Sequence, residues 1–201
     1  LGQTRPRLLL HACCGPCSSA VLELLCRHFQ VTVLYYNPNI WPAAEYDRRQ
    51  GELARFLGLA HPGEVELVED TYDPAEFYQA VKGLEDEPEK GGRCTLCYRL
   101  RMERAARYAA QHGYDSFTTS LLISPYQKHD AIAAIARAMG EKYGVEFLYR
   151  DFRPLFQAGQ EFAREHGFYM QKYCGCIFSE EERYMAAKWK KRKKQCGESE
   201  K

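Results

Sequence analysis

The chain has no long apolar stretch: its hydrophobic residues, 45% of 201, come in short runs such as Leu8-Leu9-Leu10, well below the roughly 20 residues that a membrane-spanning helix needs. A soluble protein without a membrane partner is expected. Nor does the sequence open with a basic segment running into an apolar stretch and a small-residue cleavage site, so no secretory leader is read and a cytoplasmic address follows. It lacks internal repeats, which excludes a solenoid. It also has little net charge, a formal +1, yet from Lys188 to Lys201 seven basic residues stand against only Glu198 and Glu200. Such a terminal run is either a solvated tail or an element that steers nucleic acid. The length suits one domain that buries its core without disulfide support. The organisation expected is a single α/β metalloenzyme domain over residues 1–187 followed by a basic, disordered tail over 188–201.

Cysteine, by contrast, is abundant. Nine cysteines in a chain of this length, odd in number and with seven of them in tight local groups, argue for metal or redox chemistry rather than a disulfide framework. Cys26 lies in an apolar run and Cys196 in the charged tail, and both are read as bystanders.

Along the chain, short β-rich runs alternate with helical patterns. Arg7 to Ala12 reads as a strand, followed by a helix capped by Ser18 or Ser19, in which Val21, Leu22, Leu25 and Phe29 share a face. Val31 to Tyr36 reads as a second strand, Ala43 to about Leu57 as a helix, Glu64 to Val68 as a third strand and Pro74 to Lys82 as a helix. A charged loop, Glu85 to Arg93, delivers Cys94. From Cys97 to about His112 the pattern is helical. Ser116–Ser120 and Val145–Arg150 then read as strands flanking a helix from about Pro125 to Tyr143. Two further helical stretches, Gln157–His166 and Ser179–Lys194, surround a Cys-Gly-Cys turn. Strands separated by helices of this length predict a Rossmann-like, HUP-type α/β fold. It would have a parallel sheet, helices on both faces and a helical C-terminal extension, and would place ligands at the carboxyl ends of the strands.

Three cysteine groups carry the chemistry. His11-Ala12-Cys13-Cys14-Gly15-Pro16-Cys17 closes the first strand and opens the first helix, where doubly wound proteins often bind phosphate. A helix N-terminus lowers thiol pKa, which predisposes these sulfurs to the metal-binding thiolate form. Cys94-Thr95-Leu96-Cys97 has the spacing that turns two sulfurs to one metal, and on that spacing alone zinc and an iron–sulfur cluster are equally served. Cys174-Gly175-Cys176 is tight for chelating one tetrahedral ion. It permits an easily reduced disulfide, or the two thiols are ligands of a further ion. The total exceeds the four thiols of a structural zinc site. His11 reads as a packed histidine.

These strings also resemble those of a known family. HACCGPC (His11–Cys17), CTLCYRLR (Cys94–Arg101), TTSLLISPYQKHD (Thr118–Asp130), YRDFRP (Tyr149–Pro154) and YMQKYCGC (Tyr169–Cys176) occur in the order characteristic of QueH-type epoxyqueuosine reductases. The resemblance implies reduction of the epoxide of epoxyqueuosine in a tRNA anticodon loop to queuosine, the last step of tRNA queuosine biosynthesis. It implies a 4Fe-4S cluster on Cys13, Cys14, Cys94 and Cys97, and a redox-active pair formed by Cys174 and Cys176. Cys17 is left as a ligand for an adjacent mononuclear metal, iron, with Asp151 a further candidate oxygen donor. The partners implied are tRNA carrying epoxyqueuosine and an electron donor that the sequence does not identify.

An unstacked anticodon base would be met by aromatic and arginine planes. Arg101, Arg104 and Tyr108 at i, i+3 and i+7, with Tyr126, Lys128 and His129, are candidates beside the plainer reading of a solvated helix face. Two alternatives remain at this point. An ATP-dependent tRNA sulfur transferase would share the βα order, but its Ser-Gly-Gly pyrophosphate loop is replaced here by cysteines. A zinc-stabilised RNA-binding module would use the basic tail.

Overall fold

The computed structural model describes residues 5–186 of the chain. Five parallel strands, β1 (Arg7–His11), β2 (Gln30–Tyr35), β3 (Glu66–Glu69), β4 (Ser116–Thr119) and β5 (Glu146–Phe147), form one sheet in the order β3-β2-β1-β4-β5. This is the doubly wound Rossmann-like arrangement the alternation predicts. Six helices connect and flank the strands: α1 (Gly15–Leu25), α2 (Ala43–Ala60), α3 (Pro74–Ala80), α4 (Gly92–Gln111), α5 (His129–Tyr143) and α6 (Phe156–Glu165). The chain is helical again over 177–186.

The central strands are buried at nearly every position because helices cover them on both sides. Leu8, Leu9 and Leu10 of β1 and Phe117 of β4 are fully buried, whereas the edge strand β3 has Leu67 and Val68 half-buried between exposed Glu66 and Glu69. Helices α1, α2 and α6 pack with one another, and α4 packs on α5, giving the two helical layers. The winding reverses between β1 and β4, paired at Leu8–Ser116 through His11–Thr119. That pairing opens a crevice beyond His11 and Thr119, where this class of sheet places its ligand.

Several boundaries differ from expectation, each for a local reason. Helix α1 begins at Gly15, with Cys14 as its extended N-cap and Pro16 in the first turn, where a missing N–H costs nothing. Ser18 and Ser19 therefore lie inside the helix, and their hydroxyls donate back to the carbonyls of Cys14 (2.8 Å) and Pro16 (3.1 Å). Helix α4 starts at Gly92, ahead of Cys94, so both cysteines of that pair sit on its opening turns. Helix α5 starts at His129 rather than near Pro125, because Ser124 closes a turn by accepting from the amides of Tyr126 and Gln127. Strand β5 pairs only two residues with β4, after which the chain departs toward α6. The late helix expected to reach Lys194, and the basic tail over 188–201, extend outside the described residues. No helix among the described residues is long and apolar enough to cross a membrane.

Helix α6 reaches the cysteine-bearing end of α1 because Gly159 lets the two backbones meet. A Cβ there would stand 2.9 Å from the Pro16 carbonyl oxygen.

Candidate metal and redox centre

The turn beyond β1 gathers the first sulfur group. One sulfur each from Cys13, Cys14 and Cys17 lies within 4.8 Å of the others. The spacing explains this: Cys14 caps the helix, Cys17 follows on its first turn, and Cys13 ends the loop from β1. Cys13 Sγ lies 3.8 Å from Cys14 Sγ and 3.9 Å from Ser120 Oγ, which follows β4 on the other side of the switch point. The Gln171 side-chain amide donates to Cys14 Sγ at 2.9 Å and reaches Cys17 Sγ at 3.8 Å.

The helix start was expected to favour thiolates in this group, and the three sulfurs are shifted unequally. The Cys13 thiol is held well below its ordinary value because Cys14 and Cys17 donate hydrogen bonds to it, with Arg101 adding its positive charge. Cys14 and Cys17 are pushed up by donating to that same sulfur and by burial.

Beneath them His11 is fully buried, with Nε2 3.0 Å from the Tyr36 carbonyl and Nδ1 3.0 Å from the Thr119 hydroxyl. The carbonyl can only accept, so Nε2 carries the proton and Nδ1 accepts from Thr119. Burial, reinforced by Arg101, lowers its pKa to about 4, which keeps the ring neutral. It is the packed histidine expected.

The second group comes from α4 and the late turn. Cys94, Cys97, Cys174 and Cys176 line a narrow cavity of about 20 Å3, together with Arg93, Tyr98, Arg101 and Gln127. Burial raises the Cys97 thiol to about 11 and Cys174 to about 12, and raises Cys94 as well. The Lys90 amide donates to Cys94 Sγ at 3.2 Å and the Gln127 amide to Cys174 Sγ at 3.8 Å.

Arg49 builds the Cys-Gly-Cys turn. It is 1% exposed, pairs with Glu45 at 2.7 Å, and donates to the carbonyls of Cys174 (3.0 Å) and Tyr173 (3.2 Å). Gly175 has φ +130°, which L side chains rarely adopt. Any Cβ there would also press on Arg49 and Ile40, both 3.0 Å away. Its carbonyl accepts from the Trp41 amide at 2.8 Å. All eight cysteines among the described residues are free thiols.

The two groups adjoin. A larger cavity of about 540 Å3, the size of a small-molecule site, is lined by Cys13, Cys17 and Cys174 and shares Arg101, Tyr126 and Gln127 with the narrow one. Gln160, Met170, Gln171 and Tyr173 line its other walls. The structure thus brings the three sequence-distant cysteine groups to one end of the sheet. Cys26 stands apart in the core, as expected of a bystander.

Asp151 is not among the lining residues of either cavity. Its carboxylate is engaged by Arg153 through Nε (2.9 Å) and Nη2 (2.7 Å), and this pairing holds it at about 2. The arginine and tyrosine face read on α4 also dissolves. Arg101 is buried, Arg104 is clamped on Asp70 at 2.6 and 2.8 Å, and Tyr108 stacks on His112. His129 is buried against the Tyr149 hydroxyl, whereas Tyr126, 66% exposed, does face the cavities. Sequence reasoning passed over Arg49, Gln127 and Gln171. The two glutamines lie inside the strings that carry the family resemblance, which was their only signal.

A family model described as Epoxyqueuosine reductase QueH matches residues 8–182, nearly the entire described chain. The chain belongs to that family. Among its curated relatives, an epoxyqueuosine reductase QueH of Dehalococcoides mccartyi is 38% identical over 180 residues, covering 89% of this chain and 95% of the relative. Those of Haemophilus influenzae and Thermotoga maritima are 38% and 36% identical, over 86% of this chain and 71% and 89% of theirs. Among solved structures, one described as a predicted subunit of tRNA methyltransferase from Methanocaldococcus jannaschii has a TM-score of 0.49 at 13% identity. That match covers 79% of this chain and 76% of the other.

Proposed function

We propose that the chain reduces the epoxide of epoxyqueuosine in tRNA, using a thiolate-bound iron–sulfur centre and a dithiol. The observation that carries this reading is the gathering of three sequence-distant cysteine groups at one end of the sheet, where Cys13, Cys17 and Cys174 line one cavity of about 540 Å3, large enough for the modified end of a nucleotide, and Cys174 also lines the narrow one with Cys94, Cys97 and Cys176. The donor set is entirely sulfur, which suits iron–sulfur clusters and zinc and disfavours hard cations that take oxygen ligands. On this reading Cys13 and Cys14 from one group and Cys94 and Cys97 from the other hold a 4Fe-4S cluster. Cys17 faces an adjacent iron. When bound, the cluster supplies electrons one at a time.

Converting an epoxide to an alkene breaks both C–O bonds, forms the C=C bond and releases the oxygen as water, and so consumes two electrons and two protons. Cys174 and Cys176 together carry both: oxidation of the dithiol to a disulfide yields two electrons and two protons. Burial keeps Cys174 protonated at neutral pH, which holds its proton ready for the departing oxygen. Arg49 and Gly175 hold the two thiols on one turn beside the large cavity. The exposed ring of Tyr126 at its rim offers a stacking surface for a splayed base. An electron donor re-reduces the pair after each turnover.

The experiment is anaerobic reconstitution with iron and sulfide, incubation with epoxyqueuosine-containing tRNA, and mass spectrometry of the released nucleosides. Loss of one oxygen is expected. Unchanged nucleoside from protein carrying its full iron complement would refute the proposed activity. Changing Cys174 or Cys176 to Ser should abolish turnover while the visible chromophore persists, and loss of the chromophore would make them ligands instead.

A second reading of the ligands is favoured by the compactness of Cys13, Cys14 and Cys17, which meet closely enough to hold a metal without help from α4. Iron content separates the two. If Cys17→Ser releases the cluster and Cys94→Ser does not, the compact trio is the ligand set.

A further inference from the structure

Among the described residues three arginines are almost completely buried, and the fold provides carboxylates for two of them. Arg49 has Glu45 at 2.7 Å and Arg93 has Glu182 at 2.8 Å. Arg101 is 2% exposed and pairs with no carboxylate among the described residues. Its Nε makes a long bond of 3.4 Å to the Cys97 carbonyl one turn back, and its Nη2 is buried with no partner. A guanidinium cannot escape this situation by losing its proton, and an unpaired buried charge is among the most costly features a fold can hold. Beyond the Cys13 sulfur, whose thiol this charge helps to hold low, a further anion is therefore called for.

The position of Arg101 identifies that anion. It lines both cavities, so it stands between the Cys13–Cys17 group on one side and the Cys94, Cys97, Cys174 and Cys176 group on the other. Among the described residues the only acidic side chain lining either cavity is Glu89, which is exposed. Buried sulfur is what remains.

We propose that Arg101 is the counter-cation of the metal–thiolate centre, a positioning residue whose charge is balanced only when the cysteines on both sides are bound to metal as thiolates. This rests on the proposed function for the presence of a metal there, though not for which metal it is. Two consequences follow that an ordinary packing arginine would not produce. The metal-free fold carries Arg101 as a liability, so removing the charge does not destabilise it. The metal-bound form depends on the charge, so removing it weakens metal binding and, in a redox-active centre, favours the less negative oxidised state and lowers the reduction potential.

The test compares wild type, Arg101→Met and Arg101→Lys. Metal-free Arg101→Met should melt no more than about 2 °C below metal-free wild type. It should gain less melting temperature from zinc than wild type does, and bind zinc at least tenfold more weakly in competition with a chelator. With a reconstituted iron–sulfur cluster, its one-electron equilibrium should shift at least tenfold toward the oxidised form, about 59 mV. Arg101→Lys, which keeps the charge, should restore both affinity and potential. An Arg101→Met protein that fails to fold without metal, or one that matches wild type in zinc affinity and potential, overturns the proposal. The two readings fail separately. Wild type that takes up zinc but no iron refutes the cluster, while the zinc comparison still decides the role of Arg101. Wild type that takes up neither metal refutes both.

Discussion

Arg49 links the stability of the fold to the Cys-Gly-Cys turn, and replacing it with Met tests that link. The guanidinium makes two hydrogen bonds to carbonyls of the Cys-Gly-Cys segment, and bonds from a charged donor are worth about 1.5–3 kcal/mol each. Its partner Glu45, whose side chain is 10% exposed, would be left with a buried charge, a loss that typically costs about 3–5 kcal/mol when one member of a buried pair is removed. The Tyr169 hydroxyl, which already donates to Glu45 at 3.0 Å, offsets part of this, and Met fills much of the vacated volume. A net loss of about 3 kcal/mol is expected, equivalent to about 6–12 °C in melting temperature for a chain of this size. Because half or more of that loss falls on one turn, the turn should open more often, and alkylation of Cys174 under native conditions should quicken about tenfold or more. Thermal melts by circular dichroism and timed alkylation read by peptide mass spectrometry measure the two quantities. A variant that melts within about 2 °C of wild type and alkylates at the wild-type rate would refute the argument that Arg49 holds the turn.

Gly175→Ala should disable turnover with a smaller fall in stability than Arg49→Met, because it strains the same turn without stranding a charge; wild-type activity would show that the positive φ is dispensable. Gly159→Val should lower stability by about 1–3 kcal/mol, readable as a lower urea midpoint, since its Cβ meets backbone on α1 rather than a yielding side chain. Asp70 is held below its ordinary value first by hydrogen bonds from Arg104, so its contribution is full above its unfolded pKa of about 3.9 and is lost as pH falls through its lower folded value. Asp70→Asn should therefore flatten the stability profile below about pH 4, and an unchanged acid limb would contradict the pairing. Stripping bound metal with a chelator should lower the melting temperature, because a ligand that binds only the folded cysteine array stabilises it by mass action; an unchanged melt would exclude a bound metal.

The α/β class and the alternation of strand and helix were legible because their causes are local. Leu8-Leu9-Leu10 and Val31-Thr32-Val33-Leu34 are continuous apolar runs that only a strand covered on both faces can bury, and amphipathic helices of crossover length separate them. Boundaries were less legible where side chains compete with the backbone. Ser18 and Ser19 could equally cap a helix or bond back within one, and Ser124 closed a turn that delayed α5. Asp151 looked like an available oxygen donor until Arg153 was found on it. Arg101, Arg104 and Tyr108 looked like a surface stripe until burial and pairing claimed each of them.

The sequence by itself determined the donor type on offer, because a pattern of cysteines spaced two and three apart at helix starts is a statement about sulfur donors and local chelation. What it could not supply is distance between groups separated by 77 positions, since that depends on how the strands are ordered in the sheet. Only the tertiary structure brought the turn after β1, the opening of α4 and the Cys-Gly-Cys turn to one crevice. Only it left Arg101 buried between them without a carboxylate. Electrostatic balance is a property of what surrounds a charge in space, and no run of neighbours along the chain encodes it.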